Sequence, residues 1–249
     1  MDGCSSDRRG HSSGSGAVRY TGCVSQPVLR FDLDLRDAME RRLEPDALIV
    51  QEDRNLVLSA PPFLDLDAAN DLDSAYMAIA HHRPLPQGRY LLLRPRGGRR
   101  HWLYQAVVHD LEHTPSCRPG DVRRSVLAVC RDAVKRGLAV LAMEPVGLWG
   151  QRGLTLDELV EALDTTFLEL ALDLEAPLRI VLLLDDLATI EEVSLGVRAR
   201  VLRKASRSFR TVNGDAAVVE VRRDLARLHF RFVPGSLSGY MVIRADRVA

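Results

Sequence analysis

Between residues 119 and 204 the apolar positions alternate between two periods. Val122, Val126, Val129, Ala133 and Val134 recur at helical spacing across 119–136, and Gly137 stands where a helix would close. The next run, 138–143, is short and continuously apolar, which predicts a buried strand. A helix follows over 155–174, opened by Thr155 with Glu158 three residues on, then a strand over 180–184 and a helix over 186–204. Strands that are apolar on both faces and separated by helices predict parallel neighbours joined by right-handed crossovers. The expected core is a three-layer α/β/α sandwich.

Upstream, 47–50 and 55–60 have strand length and composition, and Pro61 and Pro62 end the second run because neither can donate to a sheet ladder. Short helices are expected at 37–43 and 71–82, stopped by Pro45 and Pro84. Strands over 89–93 and 102–111 flank Pro95-Arg96-Gly97-Gly98, a hairpin-like connection that makes the expected sheet mixed. Beyond residue 205, strands at 216–221, 228–233 and 240–244 are separated by Asn213-Gly214 and Pro234-Gly235. Residues 1–27 hold eleven Gly or Ser and too little apolar surface to offset the entropy of ordering them. The expected organisation is a flexible tail over 1–27, an α/β domain over 28–204, and a small C-terminal β extension over 205–249 packed on that domain.

Charge narrows the functional classes. The 249 residues carry 34 basic and 34 acidic side chains, so no overall field draws a phosphate backbone, and nucleic acid is an unfavoured partner unless a local basic patch exists. No run approaches the ~20 apolar residues that span a bilayer, and Arg8 and Arg9 are followed by no apolar stretch. Membrane insertion and secretion are disfavoured, and a cytoplasmic setting is expected. Cys4, Cys23, Cys117 and Cys130 show no C-x-x-C spacing, and neither His81-His82 nor His109-Asp110 has a third ligand at helical or hairpin spacing, so no metal is expected. Asp185-Asp186 ends a strand where Mg²⁺ can bind, but no P-loop accompanies it, and capping of the next helix is its expected role. Cys117 precedes a helix with Arg118 beside it; a nucleophilic thiol there is the minority reading.

In open α/β sheets, ligands lie beyond the carboxyl ends of the strands. After the strand at 138–143 comes Glu144-Pro145-Val146-Gly147-Leu148-Trp149-Gly150, in which two glycines let backbone N–H groups approach a phosphate and Trp149 can pack on a sugar or base. A tight turn with Trp149 in the core accounts for the same residues equally well. The gap-free segment Leu141 to Gly150 resembles the F-P-A-I-S-T-G-I-Y-G strand and loop of macro domains. The run Asn55-Leu56-Val57-Leu58-Ser59-Ala60-Pro61-Pro62 is similar to that family's D-A-I-V-N-A-A-N, Leu72-Asp73-Ser74-Ala75 to its V-D-G-A, and Ala106-Val107-Val108-His109 to its Y-V-I-H. The resemblance covers about residues 43–204.

The resemblance implies a ligand of the ADP-ribose kind, free or on an ADP-ribosylated protein, held between two loops, and in some members hydrolysis of ADP-ribose adducts. The departures bear on chemistry. Phe63-Leu64-Asp65-Leu66-Asp67 replaces a glycine-rich first loop and sets two carboxylates where a diphosphate would lie. Pro62 stands at the family's catalytic asparagine and Ser59 at its other asparagine. The expected protein is a degenerate macro-like module, without catalytic residue or cofactor, whose ligand residues are Gly147, Leu148, Trp149 and Gly150, with Ser59 and Asp73 nearby. Asp46 falls roughly where the family has an adenine-contacting aspartate. The rival readings are a protein-interaction or structural module that has lost its ligand, and an ADP-ribosyl hydrolase.

Overall fold

The computed structural model describes residues 29–37, 43–58, 84–95, 100–174 and 176–204, together with the strand residues 210–212, 216–223, 226–231 and 238–247. The expected helix at 71–82 and most of that at 37–43 lie outside the described residues. Ten strands are described: β1 Leu29–Leu35, β2 Ala47–Asp53, β3 Arg89–Leu93, β4 Trp102–His109, β5 Val140–Met143, β6 Leu178–Leu184, β7 Arg210–Val212, β8 Ala216–Arg223, β9 Ala226–Arg231 and β10 Ser238–Arg247. The helices described are α1 Pro119–Lys135, α2 Leu156–Asp173 and α3 Leu187–Lys204.

The strands form one mixed sheet in the order β3-β4-β2-β5-β6-β1-β10-β9-β8-β7. From β4 to β1 neighbours run parallel, whereas β3 and β10 each pair antiparallel with the strand beside them. The α/β class and mixed sheet are those the pattern predicts. Alternate residues of β5 and β6 serve opposite faces: Leu141, Met143, Ile180, Leu182 and Leu184 pack under the helices, while Ala142, Val181 and Leu183 join Leu43 in a second buried cluster on the reverse face. Burial on both faces is why these strands read as continuous apolar runs.

Local sequence sets the helix ends. Thr155 forms the expected capping box: its hydroxyl accepts the Glu158 N–H, and the Glu158 carboxylate accepts the Thr155 N–H. Asp186 caps α3, accepting the Thr189 N–H at 2.8 Å, so it takes the capping role expected of the Asp185-Asp186 pair.

The structure departs from the pattern at the start of the chain. Residues 55–58 are not strand. Asp53 accepts the Asn55 and Val57 N–H groups and Glu52 accepts that of Leu58, folding the chain into a turn with Leu56 at φ +60°, while the strand itself is β2. A strand absent from the pattern reading, β1, lies between β6 and β10. Its Leu29, Phe31 and Leu33 are buried beneath the helices, while Asp32 on the reverse face is held by Arg30 and Arg179, each at 2.7 Å. The C-terminal strands β7 to β10 are also part of this sheet. β10 pairs with β1, so the extension continues the same sheet.

Candidate ligand loop at the carboxyl ends of the strands

The chain leaves β5 at Met143 into a turn that closes on itself. Glu144 N–H donates to Ile49 O at 2.9 Å, Val146 N–H to Glu144 O at 2.7 Å, Leu148 N–H to Pro145 O at 3.2 Å and Leu154 N–H to Gly147 O at 2.8 Å. Gly147 has φ +100°, and a Cβ there would lie 2.8 Å from Val122 and 3.3 Å from the Cys117 sulfur. A Cβ on Gly153 would lie 2.3 Å from the Trp149 backbone nitrogen. The glycines are therefore required by close approach as much as by conformation.

Gln51 ties this turn to the sheet. Its Oε1 accepts the Gly147 N–H at 3.0 Å and its Nε2 donates to Leu148 O at 3.1 Å, which fixes the amide orientation. The same Oε1 lies 2.9 Å from His109 Nε2, so that nitrogen carries the proton and Nδ1 is the acceptor facing Ser116 Oγ at 3.1 Å. The Ser116 hydroxyl also reaches Arg152 O at 2.9 Å, sharing its proton between the two acceptors. Arg152 in turn donates to Leu111 O at 2.7 Å. Burial pushes the His109 pKa down to about 4 against the opposing charge of Asp53, so the ring is neutral at pH 7.

Trp149 stands at the tip, 38% exposed, with its ring centroid 5.7 Å from that of His109. It does not fill the core. Leu148 is half-buried and packs against the core cluster, while Gly150 is exposed. The N–H groups of Val146 and Leu148 are spent inside the turn and that of Gly147 on the Gln51 side chain, while the Trp149 nitrogen lies close against Gly153.

Charged groups surround the loop. Arg36 donates to Asp185 at 2.8 Å and to Glu144 at 3.1 Å, and Arg54 donates to Asp110 at 2.8 Å. Burial raises the Glu144 pKa while Arg36 opposes the rise. Cys117 is buried, and burial pushes its thiol up to about 12, which removes the nucleophile reading.

Of the residues expected to bind ligand, Gly147, Leu148, Trp149 and Gly150 share this one loop. Ser59 and Asp73 lie outside the described residues. Asp46 is corrected: it precedes β2, level with the start of β5, and its carboxylate accepts the Ala139 and Val140 N–H groups at 2.8 Å each, at the opposite end of the strands from the loop. Gln51, His109 and Ser116 were missed. Their only sequence signal is polarity within otherwise apolar strands or beside them, and polar residues buried there need partners.

A mixed sheet with a glycine turn at the carboxyl end of a central strand, helices α1 to α3 on one face and an antiparallel edge strand defines a macro-domain-like fold. The solved structures similar to this chain include macro domains of Oceanobacillus iheyensis. One has MES bound (10% identity, TM-score 0.53, covering 69% of this chain and 92% of that one). Another is a mutant with ADPR (11%, 0.54, 68% and 92%), and a third is with ADP (9%, 0.53, 69% and 91%). No protein-family model and no curated protein matches the chain.

Proposed function

We propose that the protein is a macro-like module that binds an ADP-ribose-like ligand, free or attached to a protein, and does not hydrolyse it. The observation that carries this reading is the glycine turn at the carboxyl end of β5, where Gly147 and Gly150 at positive φ flank the exposed indole of Trp149. Backbone N–H groups suit a diphosphate and the indole face suits a base or ribose. Similar folds with ADPR and ADP support the ligand class. Binding without hydrolysis is supported by the state of the groups around the turn. His109 is neutral and held from both ring nitrogens, the Cys117 thiol is buried, and Glu144 is engaged by Arg36.

Calorimetric titration with ADP-ribose, ADP and NAD, paired with thermal shift, tests the binding, since a ligand bound only by the folded state raises its stability. ADP-ribose is expected to bind and to raise the melting temperature, and Gly150→Glu, at an exposed position where a Cβ meets nothing within 4 Å, to abolish the response in a protein that still melts cooperatively. Absence of both heat and shift at millimolar ligand refutes the reading. Release of ADP-ribose from a modified protein would refute the non-hydrolytic part alone.

A further inference from the structure

Helix α3 packs on β1, β8 and β10 through one face, where Ile190, Val193, Val197 and Val201, three and four residues apart, are all buried. The opposite face meets water and should be polar. It is not. Ala188, Leu195 and Leu202 stand on it at intervals of seven residues, with Leu187 and Ala199 beside them, and all five are exposed. Leu195 is 61% exposed, and three of the five large apolar side chains exposed among the described residues, Leu187, Leu195 and Leu202, belong to this helix. A seven-residue interval is the seam along which one helix packs on another. From Ala188 to Leu202 the seam is about 21 Å long at 1.5 Å per residue.

The charges along the seam are divided at Leu195. Glu191 and Glu192 precede it, and Arg198 and Arg203 follow it. Both glutamates and Arg203 are exposed, while Arg198 is half-buried and keeps an interaction within its own chain. The other charged groups of α3 and its start are engaged inside the chain: Arg200 with Asp157 and Glu161, Lys204 with Asp164, Asp185 with Arg36, and Asp186 in the cap. The seam therefore carries two acids in its first half and two bases in its second. A partner of one sign would meet as much repulsion as attraction there.

We propose that two copies of the chain associate through this face, α3 against α3 and antiparallel, with Leu195 at the two-fold axis. Leu195 then meets its own equivalent, and Ala188 of one copy lies level with Leu202 of the other. An axis perpendicular to both helices sets like flanks side by side. At 100° per residue Glu191 and Arg198 share one flank, and Glu192 and Arg203 the other, so each flank sets an acid of one copy beside a base of its mate. Glu191 comes within about one residue of the level of Arg198. Glu192 and Arg203 lean toward each other, because helical side chains tilt toward the N-terminus. A parallel pair would set acid on acid and base on base. A footprint of about 21 by 10 Å is smaller than the ~800 Å² per partner of a standard interface, so the dimer is weak and reversible. None of this rests on the ADP-ribose reading, and either can fail without the other.

Sedimentation velocity of the full chain without ligand, from about 5 to 500 µM, tests the proposal. The sedimentation coefficient is expected to rise with concentration toward that of a dimer. Leu195→Glu removes two leucine contacts and sets two carboxylates together at the axis, which should raise the dissociation constant at least about a hundredfold and leave the melting midpoint of the dilute protein unchanged. Glu191→Arg/Glu192→Arg and Arg198→Glu/Arg203→Glu should each weaken self-association about tenfold. An equimolar mixture of those two variants should restore the dimer, because every flank pair is again opposite in sign. Should Arg198→Glu disturb the circular dichroism, Arg203→Glu alone, at an exposed position, takes its place in the mixture. A wild type that stays monomeric throughout the range overturns the proposal. So does self-association that Leu195→Glu leaves intact, which would place the contact elsewhere, and so does a mixture that sediments as monomer.

Discussion

Acidification should destabilise the fold through His109 while the imidazole of the folded protein is still neutral. The ring is fully buried between Gln51 and Ser116, and its pKa is lowered from 6.5 to about 4. The unfolded chain takes up the proton near pH 6.5 while the folded chain refuses it until about pH 4. A base depressed in the folded state contributes stability that is full above the unfolded pKa and is lost as pH falls toward the folded one. Roughly 2.5 units of difference correspond to about 3 kcal/mol lost between about pH 6.5 and 4, with no further loss from this residue below that. Urea unfolding of the wild type and of His109→Gln across that window isolates the effect. The glutamine variant loses hydrogen bonds at every pH, which offsets its curve by a constant, but it should lack this component of the slope. NMR titration of the His109 ring in the folded wild type checks the same point without a variant. Parallel stability curves for the two proteins, or a ring that titrates near pH 6.5 in the folded state, would refute the reasoning.

Gly147→Ala should cost about 2–3 kcal/mol, read as a lower urea midpoint, because its Cβ must enter a left-handed backbone position against Val122; an unchanged midpoint would show that the turn can shift. Trp149→Ala should change stability by less than about 1 kcal/mol, since the ring is 38% exposed, yet weaken ADP-ribose binding about tenfold by calorimetry. Thr155→Ala should cost about 1 kcal/mol by removing the capping box, and its thermal midpoint is the check.

The central elements were legible where burial imposed a pattern. β5, β6 and the three helices lie where apolar continuity and helical spacing place them, within a few residues. β1 was hidden by its own chemistry. Arg30, Asp32 and Asp34 alternate with Leu29, Phe31 and Leu33, so charged residues break the apolar run directly after a stretch rich in glycine and serine. The apolar run Leu56 to Leu58 misled in the opposite sense: Asp53 and Glu52 capture its N–H groups and turn it out of the sheet. At the site, the glycine loop was visible because its residue types are rare in that order. The supporting residues were not, because Gln51, His109 and Ser116 come from three places in the chain and only the fold brings them together.

The seam between β1 and β10 has a consequence for how the chain is made. The two strands that meet there are separated by roughly two hundred residues, so during synthesis the outer flank of β1 waits for almost the whole polypeptide before its mate emerges. Until then it is an open template for pairing with other chains. A fragment cut after α3, though it would retain the ligand loop, would keep that flank bare, and its characteristic fault should be self-association rather than loss of the pocket.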